Sequence, residues 1–221
     1  MESRVVHGAT LRTVSTDEQA VQKLLKERLR AKHRIQRKEF IEKNQDIDYS
    51  NFNKQVLLQI DKEYERILNQ IDANKPIISA YWPTKFELDC KSLLKEIQSQ
   101  NKWRICLPVT QGDKYPLIFR EYKEGDQLEK GEKFKVLEPT IDKEQLKPHL
   151  LIVPLIAFTS DCFRIGYGKG HYDMTLETLG DVKTIGVAFE SQKIQKQEGY
   201  IPEAHDKQLD CIITEKDIYF P

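Results

Sequence analysis

Residues 149–158 read HLLIVPLIAF, the most apolar stretch of the chain, and shorter runs of the same kind recur at 77–82 (IISAYW), 103–109 (WRICLPV), 184–189 (TIGVAF) and 209–214 (LDCIIT). A strand with one wet face alternates apolar and polar residues. A strand that is apolar at nearly every position has both faces covered. Segments with helical spacing lie between these runs, and strands interleaved with helices predict an α/β fold. The expected architecture is a mostly parallel sheet flanked by helices, Rossmann-like and three-layered.

The helical segments are read from their period. From Asp17 the pattern carries Val21, Leu24, Leu25, Arg28 and Leu29 and runs past Phe40 and Ile41. A second helix follows Tyr49, with Phe52, Val56, Leu57, Ile60, Tyr64, Ile67 and Leu68 on one stripe and Ser50 or Asp48 as its cap. Leu88 to Ile97 reads as a third helix, 116–122 (PLIFREY) as an extended stretch, and the section with Gly125, Gly131 and Pro139 as loops. The expected organisation is a flexible terminus over 1–16, then a single domain over 17–221 with a helical N-terminal arm.

Composition narrows the class. Of 221 residues, 39% are hydrophobic and 32% charged, and no apolar run approaches the length of a membrane span. Lys plus Arg and Asp plus Glu number 35 each, so global charge does not argue for nucleic acid. Cys90, Cys106, Cys162 and Cys211 form no CxxC pair, which suits reduced thiols better than a disulfide framework or a zinc site. The first 16 residues lack an apolar signal core. A cytoplasmic location is expected, with a mitochondrial presequence as the alternative because Arg4 and Arg12 stand among Ser and Thr, although Glu2 counts against it.

Chemistry concentrates in 164–173, RIGYGKGHYD. Gly166, Gly168 and Gly170 alternate, Lys169 sits among them, Arg164 precedes them and Asp173 follows. An apolar run leads in and an amphipathic segment with Tyr172, Leu176 and Leu179 leads out, so the expected order is strand, glycine turn, helix start. Such a junction offers backbone N–H groups beside the positive end of a helix, a seat for phosphate. Lys169 supplies a point charge and Arg164 a two-pronged donor for phosphate oxygens. The spacing is neither GxxxxGK followed by Ser or Thr, nor GxGxxG. The other reading is a plain surface turn.

Further candidates carry their own alternatives. Asp173, in the first turn of the following helix, suits Mg²⁺ against phosphate oxygens or a favourable dipole contact. Asp206, beside His205, lies in a loop that either returns to the same sheet end as a second carboxylate or is solvated. Residues 22–43 hold nine Lys/Arg against three acids. Lys26 and Arg30 share a helix face there and could close over a polyphosphate; a solvated face or nucleic-acid contact are the rivals. Trp82 offers a flat face for a heteroaromatic ring and Glu87 an acceptor for a pterin-like donor edge; otherwise Trp82 is core and Glu87 a helix cap.

In chain order these elements resemble the 5-formyltetrahydrofolate cyclo-ligase family, also called methenyltetrahydrofolate synthetase. A KxxLR-type helix is matched by Lys26 to Arg30, a strand ending near a glutamate by YWPTKFELD, a strand ending in LP by ICLPV, a large apolar residue two before Phe by Leu117 and Phe119, and a Glu-Pro pair by Glu138 and Pro139. The signature VPGxAFDxxGxRLGYGKGYYDRxL is matched from Val153 to Leu176, and HDxxLDxIITE from His205 to Glu215. The resemblance implies an enzyme of one-carbon metabolism, a ligase that uses ATP and Mg²⁺ to convert 5-formyltetrahydrofolate to 5,10-methenyltetrahydrofolate with release of ADP and phosphate. It implies that Lys26, Arg30, Arg164, Gly166, Tyr167, Gly168, Lys169, Gly170, His171 and Tyr172 hold ATP, with Lys169 and Arg164 catalytic. It further implies Trp82, Glu87, Leu117 and Tyr167 beside the folate, and Asp173 and Asp206 on Mg²⁺.

The expected partner is a small molecule, 5-formyltetrahydrofolate with or without a polyglutamate tail, and the expected state a monomer with neither nucleic acid nor membrane as partner. The alternatives are a binding protein of the same fold without turnover, and an RNA-binding module using 22–43; no RNP-like or KH-type motif supports the latter. There are departures from the family pattern: Leu155, Thr159 and Cys162 replace Gly, Asp and Gly, and His171 replaces the first Tyr of GYYD. Cys162 reads either as a reactive thiol or as a packed residue. His171 can carry charge near neutral pH, so a shifted pH optimum relative to a Tyr form is expected.

Overall fold

The computed structural model describes residues 16–131 and 136–221, with side chains from Ala20 onward; the expectations for residues 1–15 lie outside it. In chain order the elements are α1 (Thr16–Lys43), α2 (Ser50–Leu68), β1 (Ile77–Ser79), α3 (Lys91–Ser99), β2 (Arg104–Val109), β3 (Ile118–Glu121), β4 (Leu128–Lys130) and β5 (Leu137–Pro139). They continue with β6 (Leu150–Pro154), β7 (Ala157–Phe158), β8 (Arg164–Ile165), α4 (His171–Leu179), β9 (Lys183–Val187), β10 (Cys211–Ile213) and β11 (Ile218–Tyr219). Two 3₁₀ turns, Glu190–Gln192 and Lys196–Glu198, lie between β9 and β10.

The apolar runs become a sheet of seven strands in the order β11-β10-β9-β6-β1-β2-β3. The five inner strands, β10, β9, β6, β1 and β2, run parallel; β3 and β11 close the edges antiparallel. Successive side chains of each inner strand go to opposite faces. Leu150 and Ile152 of β6, Ile105 and Leu107 of β2, and Cys211 and Ile213 of β10 join Phe52, Val56 and Ile60 of α2 and Leu93, Leu94 and Ile97 of α3 in one core. Leu151, Val153, Cys106 and Ile212 join Leu176 of α4 in a second. That division is why the strands lack alternation: polar residues have no face to occupy. Each fully buried Ile, Leu or Phe contributes about 1.5–3 kcal/mol, so the two faces dominate the stability.

Strand order locates the ligand site. From β1 the chain moves one way to β2, and the other way through β6, β9 and β10. In a doubly wound sheet this reversal opens a crevice at the carboxyl ends of the two strands where it occurs, here β1 and β6.

Several local expectations are corrected. The run 149–158 is two strands, because Pro154 has no N–H with which to continue the ladder. The freed carbonyls of Leu155 and Ile156 accept hydrogen bonds from Gln192 Nε2 at 2.8 and 3.0 Å. A β7–β8 hairpin therefore intervenes between the apolar strand and the glycine turn. The segment 77–82 is strand only to Ser79. The third helix begins at Lys91, not Leu88, with the Lys91 N–H donating to Asp89 at 2.9 Å. The loop-rich section contains a small hairpin, β4 with β5. Neither Ser50 nor Asp48 caps α2: Tyr49 holds the N-cap position without a side-chain cap, and Asp48 only accepts the Ser50 N–H at 2.8 Å in a local turn before the helix.

The largest correction concerns α1. Val21 and Leu24 of its apolar pattern are 61% and 66% exposed, whereas Lys26, Leu29, His33 and Arg37 are buried. The helix turns a mostly polar stripe inward. It rests on the β7–β8 hairpin through Leu29, Ala157 and Ile165, and of the polar stripe Lys26 faces the crevice while Arg37 reaches the Leu155 carbonyl and the Tyr167 hydroxyl. Among the described residues no helix is long and apolar enough to cross a membrane.

Candidate active site

A cavity of about 760 Å³ opens at the switch point, lined by residues after β1 (Tyr81, Trp82, Thr84, Glu87), at the end of β2 (Pro108, Thr110) and at the end of β6 (Pro154). The glycine turn forms another wall, α1 covers it with Lys23, Lys26, Glu27 and Arg30, and Glu203, His205 and Asp206 close one end. Every residue expected at the site lies on this cavity: Lys26, Arg30, Trp82, Glu87, Leu117, Arg164, Asp173, Asp206 and the whole turn from Gly166 to Tyr172.

The turn owes its shape to two glycines in the left-handed region, Gly168 at φ 90° and Gly170 at φ 71°. Gly170 is also the residue before α4, and no side chain caps that helix. Its first N–H groups therefore have no capping side chain, and the residues that carry them, His171 to Asp173, line the cavity. Arg30 Nε donates to the Gly166 carbonyl at 3.0 Å, and a Cβ on Gly168 would come within 3.3 Å of the Arg30 guanidinium carbon. Glycine at 168 thus serves both conformation and close approach.

The charged groups divide into two sets. Near the turn, Arg164, 4% exposed, donates to Asp173 Oδ1 at 2.8 Å and lies over the Tyr172 ring at 5.8 Å. Asp173 Oδ1 also accepts the Lys207 N–H at 3.2 Å, which ties it to the residue after Asp206. Lys169 is half exposed and pairs with Asp113 at 3.1 Å across the mouth. At the far end, Lys26 Nζ donates to both Asp206 oxygens at 2.6 and 2.7 Å and to Glu203 at 2.7 Å. Burial pushes the Asp206 carboxyl up, but Lys26 and the Glu203 N–H outweigh it and hold the group below the ordinary carboxylate value. Among the described residues Glu203, His205 and Asp206 bring one ligand atom each within 4.8 Å of one another.

The other half of the cavity is aromatic and acceptor-bearing. Glu87 does not cap α3: its Oε2 accepts the Thr84 N–H at 2.7 Å and its Oε1 the Tyr167 hydroxyl at 3.0 Å. Trp82 is half-buried, packed edge-on against Tyr122 at 5.8 Å while still lining the cavity. Leu117 is buried and anchored through its N–H to Thr175 Oγ1 at 2.8 Å. Glu138 also reaches this wall, accepting from Thr110 at 2.6 and 3.0 Å.

The profile of the 5-formyltetrahydrofolate cyclo-ligase family matches residues 19–215. The chain belongs to this family. It is 30% identical over 125 residues to a 5-formyltetrahydrofolate cyclo-ligase of Haemophilus influenzae, a match spanning 53% of this chain and 66%, just under two thirds, of that relative. It is 29% identical over 160 residues to the Escherichia coli K12 enzyme of the same name, spanning 65% of this chain and 83% of that one. Its fold is that of the Aquifex aeolicus 5,10-methenyltetrahydrofolate synthetase, with TM-score 0.61 and 23% identity over 89% of this chain and 92% of that one. The Mycoplasma pneumoniae synthetase superposes with TM-score 0.51 at 21% identity, covering 87% and 97%.

In this cyclo-ligase family member the departures from the family pattern have local readings. Cys162 sits at φ 65°, a conformation that favours the family's glycine, and is fully buried with its thiol pushed up to about 12 by burial. It is a packed residue and not a reactive one. Leu155 is buried, and its Cδ2 would lie 3.2 Å from a Cβ on Gly186. His171 is half-buried; burial lowers its imidazole below 6.5, with the Asp113 charge opposing. Arg37, Glu203 and Tyr200 also belong to the charged and hydroxyl-bearing network, and no motif in the sequence marks them. Arg37 lay within the basic run, two turns after Arg30, and that spacing was its only signal.

Proposed function

We propose that the chain converts 5-formyltetrahydrofolate to 5,10-methenyltetrahydrofolate at the expense of ATP, in a Mg²⁺-dependent reaction. The observation that carries this reading is that one cavity joins a cationic, glycine-walled end to an aromatic, acceptor-bearing end. The first suits a polyphosphate and the second a pterin-like ring, so the formyl group of one substrate meets the γ-phosphate of the other.

The chemistry follows from the leaving group. The formyl oxygen attacks the γ-phosphorus, the bond to ADP breaks, and the oxygen becomes part of a phosphate ester. N10 then attacks the formyl carbon, loses its proton, and the C–O bond breaks to release phosphate. Catalysis is positioning and charge stabilisation. On this reading Lys26, Arg30 and the N–H groups of Gly166 to Tyr172 bind ATP, and Lys169 and Arg164 neutralise charge on the transferring phosphoryl group. Trp82, Leu117 and Tyr167 stack and enclose the folate, and Glu87 accepts from its donor edge. Mg²⁺, when bound, shields the phosphate oxygens. The donor set fits it: Asp206 and Glu203 are oxygen ligands already converging on a cation, the Lys26 ammonium, and Asp173 accepts the N–H of Lys207, the residue after Asp206. Asp173 and Asp206 would hold the ion.

The test is direct. Folded protein with 5-formyltetrahydrofolate and Mg-ATP should develop the near-ultraviolet absorbance of the methenyl product, with one ADP and one phosphate per turnover. Omitting ATP, or substituting Asp173→Asn, should abolish it. Product without ATP, or none from folded wild-type protein, would sink the proposal.

A further inference from the structure

Arg37 is a buried cation, 4% exposed, with no carboxylate within ion-pair distance among the described residues. Its Nη1 donates to the Leu155 carbonyl at 3.0 Å, just past the end of β6, and its Nη2 donates to the Tyr167 hydroxyl at 2.7 Å. Its Nε lacks a partner there. A guanidinium buried with a donor unsatisfied is a poor stabiliser, so the demands of the fold do not explain it.

What it does explain is the direction of a proton. Arginine has donors only, so the Tyr167 oxygen must accept from Arg37, and its single proton must go to its other partner, Glu87 Oε1 at 3.0 Å. The second oxygen of Glu87 is held by the Thr84 N–H. Both oxygens are thereby oriented, each with a lone pair left for donors on a bound ring. The guanidinium also lies 5.8 Å from the Tyr167 ring centre and steadies its plane. Arg30 and Arg37, two turns apart on α1, grip adjoining residues of the turn, Gly166 and Tyr167.

We propose that Arg37 is a positioning residue for the folate half of the site: through Tyr167 it sets the orientation of Glu87 toward the donor edge of the pterin-like ring. Arg37 does not itself line the cavity. The proposal rests on the functional reading above.

The experiment measures 5-formyltetrahydrofolate affinity by calorimetry without nucleotide, and the affinity of a non-hydrolysable ATP analogue separately, for wild type, Arg37→Met, Tyr167→Phe and the double variant. Arg37→Met should weaken folate binding about ten- to hundredfold while leaving nucleotide affinity within about twofold. The double variant should be no worse than the weaker single one, since both cut the same relay. Equal loss for both ligands, or additive losses in the double variant, would mark Arg37 as merely structural and overturn the proposal. If Arg37→Met does not fold, Arg37→Lys decides: it should lose folate affinity selectively, and unchanged affinity overturns the idea. Wild-type protein that binds no folate would instead refute the functional reading, whereas wild-type binding with equally tight binding by Arg37→Met refutes this inference alone.

Discussion

Lys26→Met removes an ammonium that touches three carboxylate oxygens, two on Asp206 and one on Glu203, at 2.6 to 2.7 Å. The side chains of Lys26 and Asp206 are 9% and 5% exposed, and that of Glu203 32%. Deleting one partner of a buried pair costs about 3–5 kcal/mol, because the other charge is left uncompensated. Asp206 keeps the Glu203 N–H at 2.9 Å and the Tyr200 hydroxyl at 3.1 Å, and Glu203 is wet enough to rehydrate. The lower end of that range therefore applies, about 3 kcal/mol, and methionine preserves most of the packing of the stem. At about 2–4 °C per kcal/mol for a chain of this length, the melting temperature should fall by about 6–12 °C. Urea denaturation and calorimetry in EDTA measure both quantities without divalent ions. Adding Asp206→Asn removes the stranded charge and should recover about 1 kcal/mol or more of the loss. A Lys26→Met variant within about 0.5 kcal/mol of wild type, or an additive double variant, would refute the reasoning and show that the pair is not desolvated.

Two further outcomes follow from the packing. A Cβ at Gly186 would stand 2.8 Å from both Ile212 Cγ1 and Leu209 Cδ1, so Gly186→Ala should cost about 1–3 kcal/mol in chemical denaturation; no measurable loss would mean that β9 and β10 part easily. Burial lowers the His33 imidazole below 6.5, with Glu198 opposing, so the folded state prefers the neutral ring. Its contribution to stability is full above 6.5 and is lost as pH falls below that value, where the unfolded chain binds more protons. Wild type should therefore lose more stability than His33→Gln on going from about pH 7.5 to about pH 5.5, and parallel curves would dismiss the effect.

The inner strands were legible because both of their faces meet oil: LLIVP and CII are apolar at every position but one, and each splits its residues between the two cores. The stripe of α2 was legible for the same reason. The orientation of α1 was not. Periodicity assumes that the inward face is apolar, yet here Lys26, His33 and Arg37 turn inward and Val21, Leu24 and Ile35 face solvent, because polar partners lie under the helix: Glu203 and Asp206 for Lys26, Glu198 near His33, and the Leu155 carbonyl and Tyr167 hydroxyl for Arg37. The β7–β8 and β10–β11 pairings each span two residue pairs, too few to carry a period.

By itself the sequence determined the class of the strands, the glycine turn and its charged neighbours, and membership of the family. Only the tertiary structure decided the strand order β2-β1-β6-β9-β10, and with it the crevice that brings Lys26, Glu87, Tyr167 and Asp206 onto one cavity. It also decided where those charges point: Lys26 onto Asp206, and Tyr167 between Arg37 and Glu87. The physical reason is the range of each signal. A local pattern records which face of an element is buried, whereas the identity of the neighbour that buries it depends on chain reversals and contacts between residues far apart in sequence.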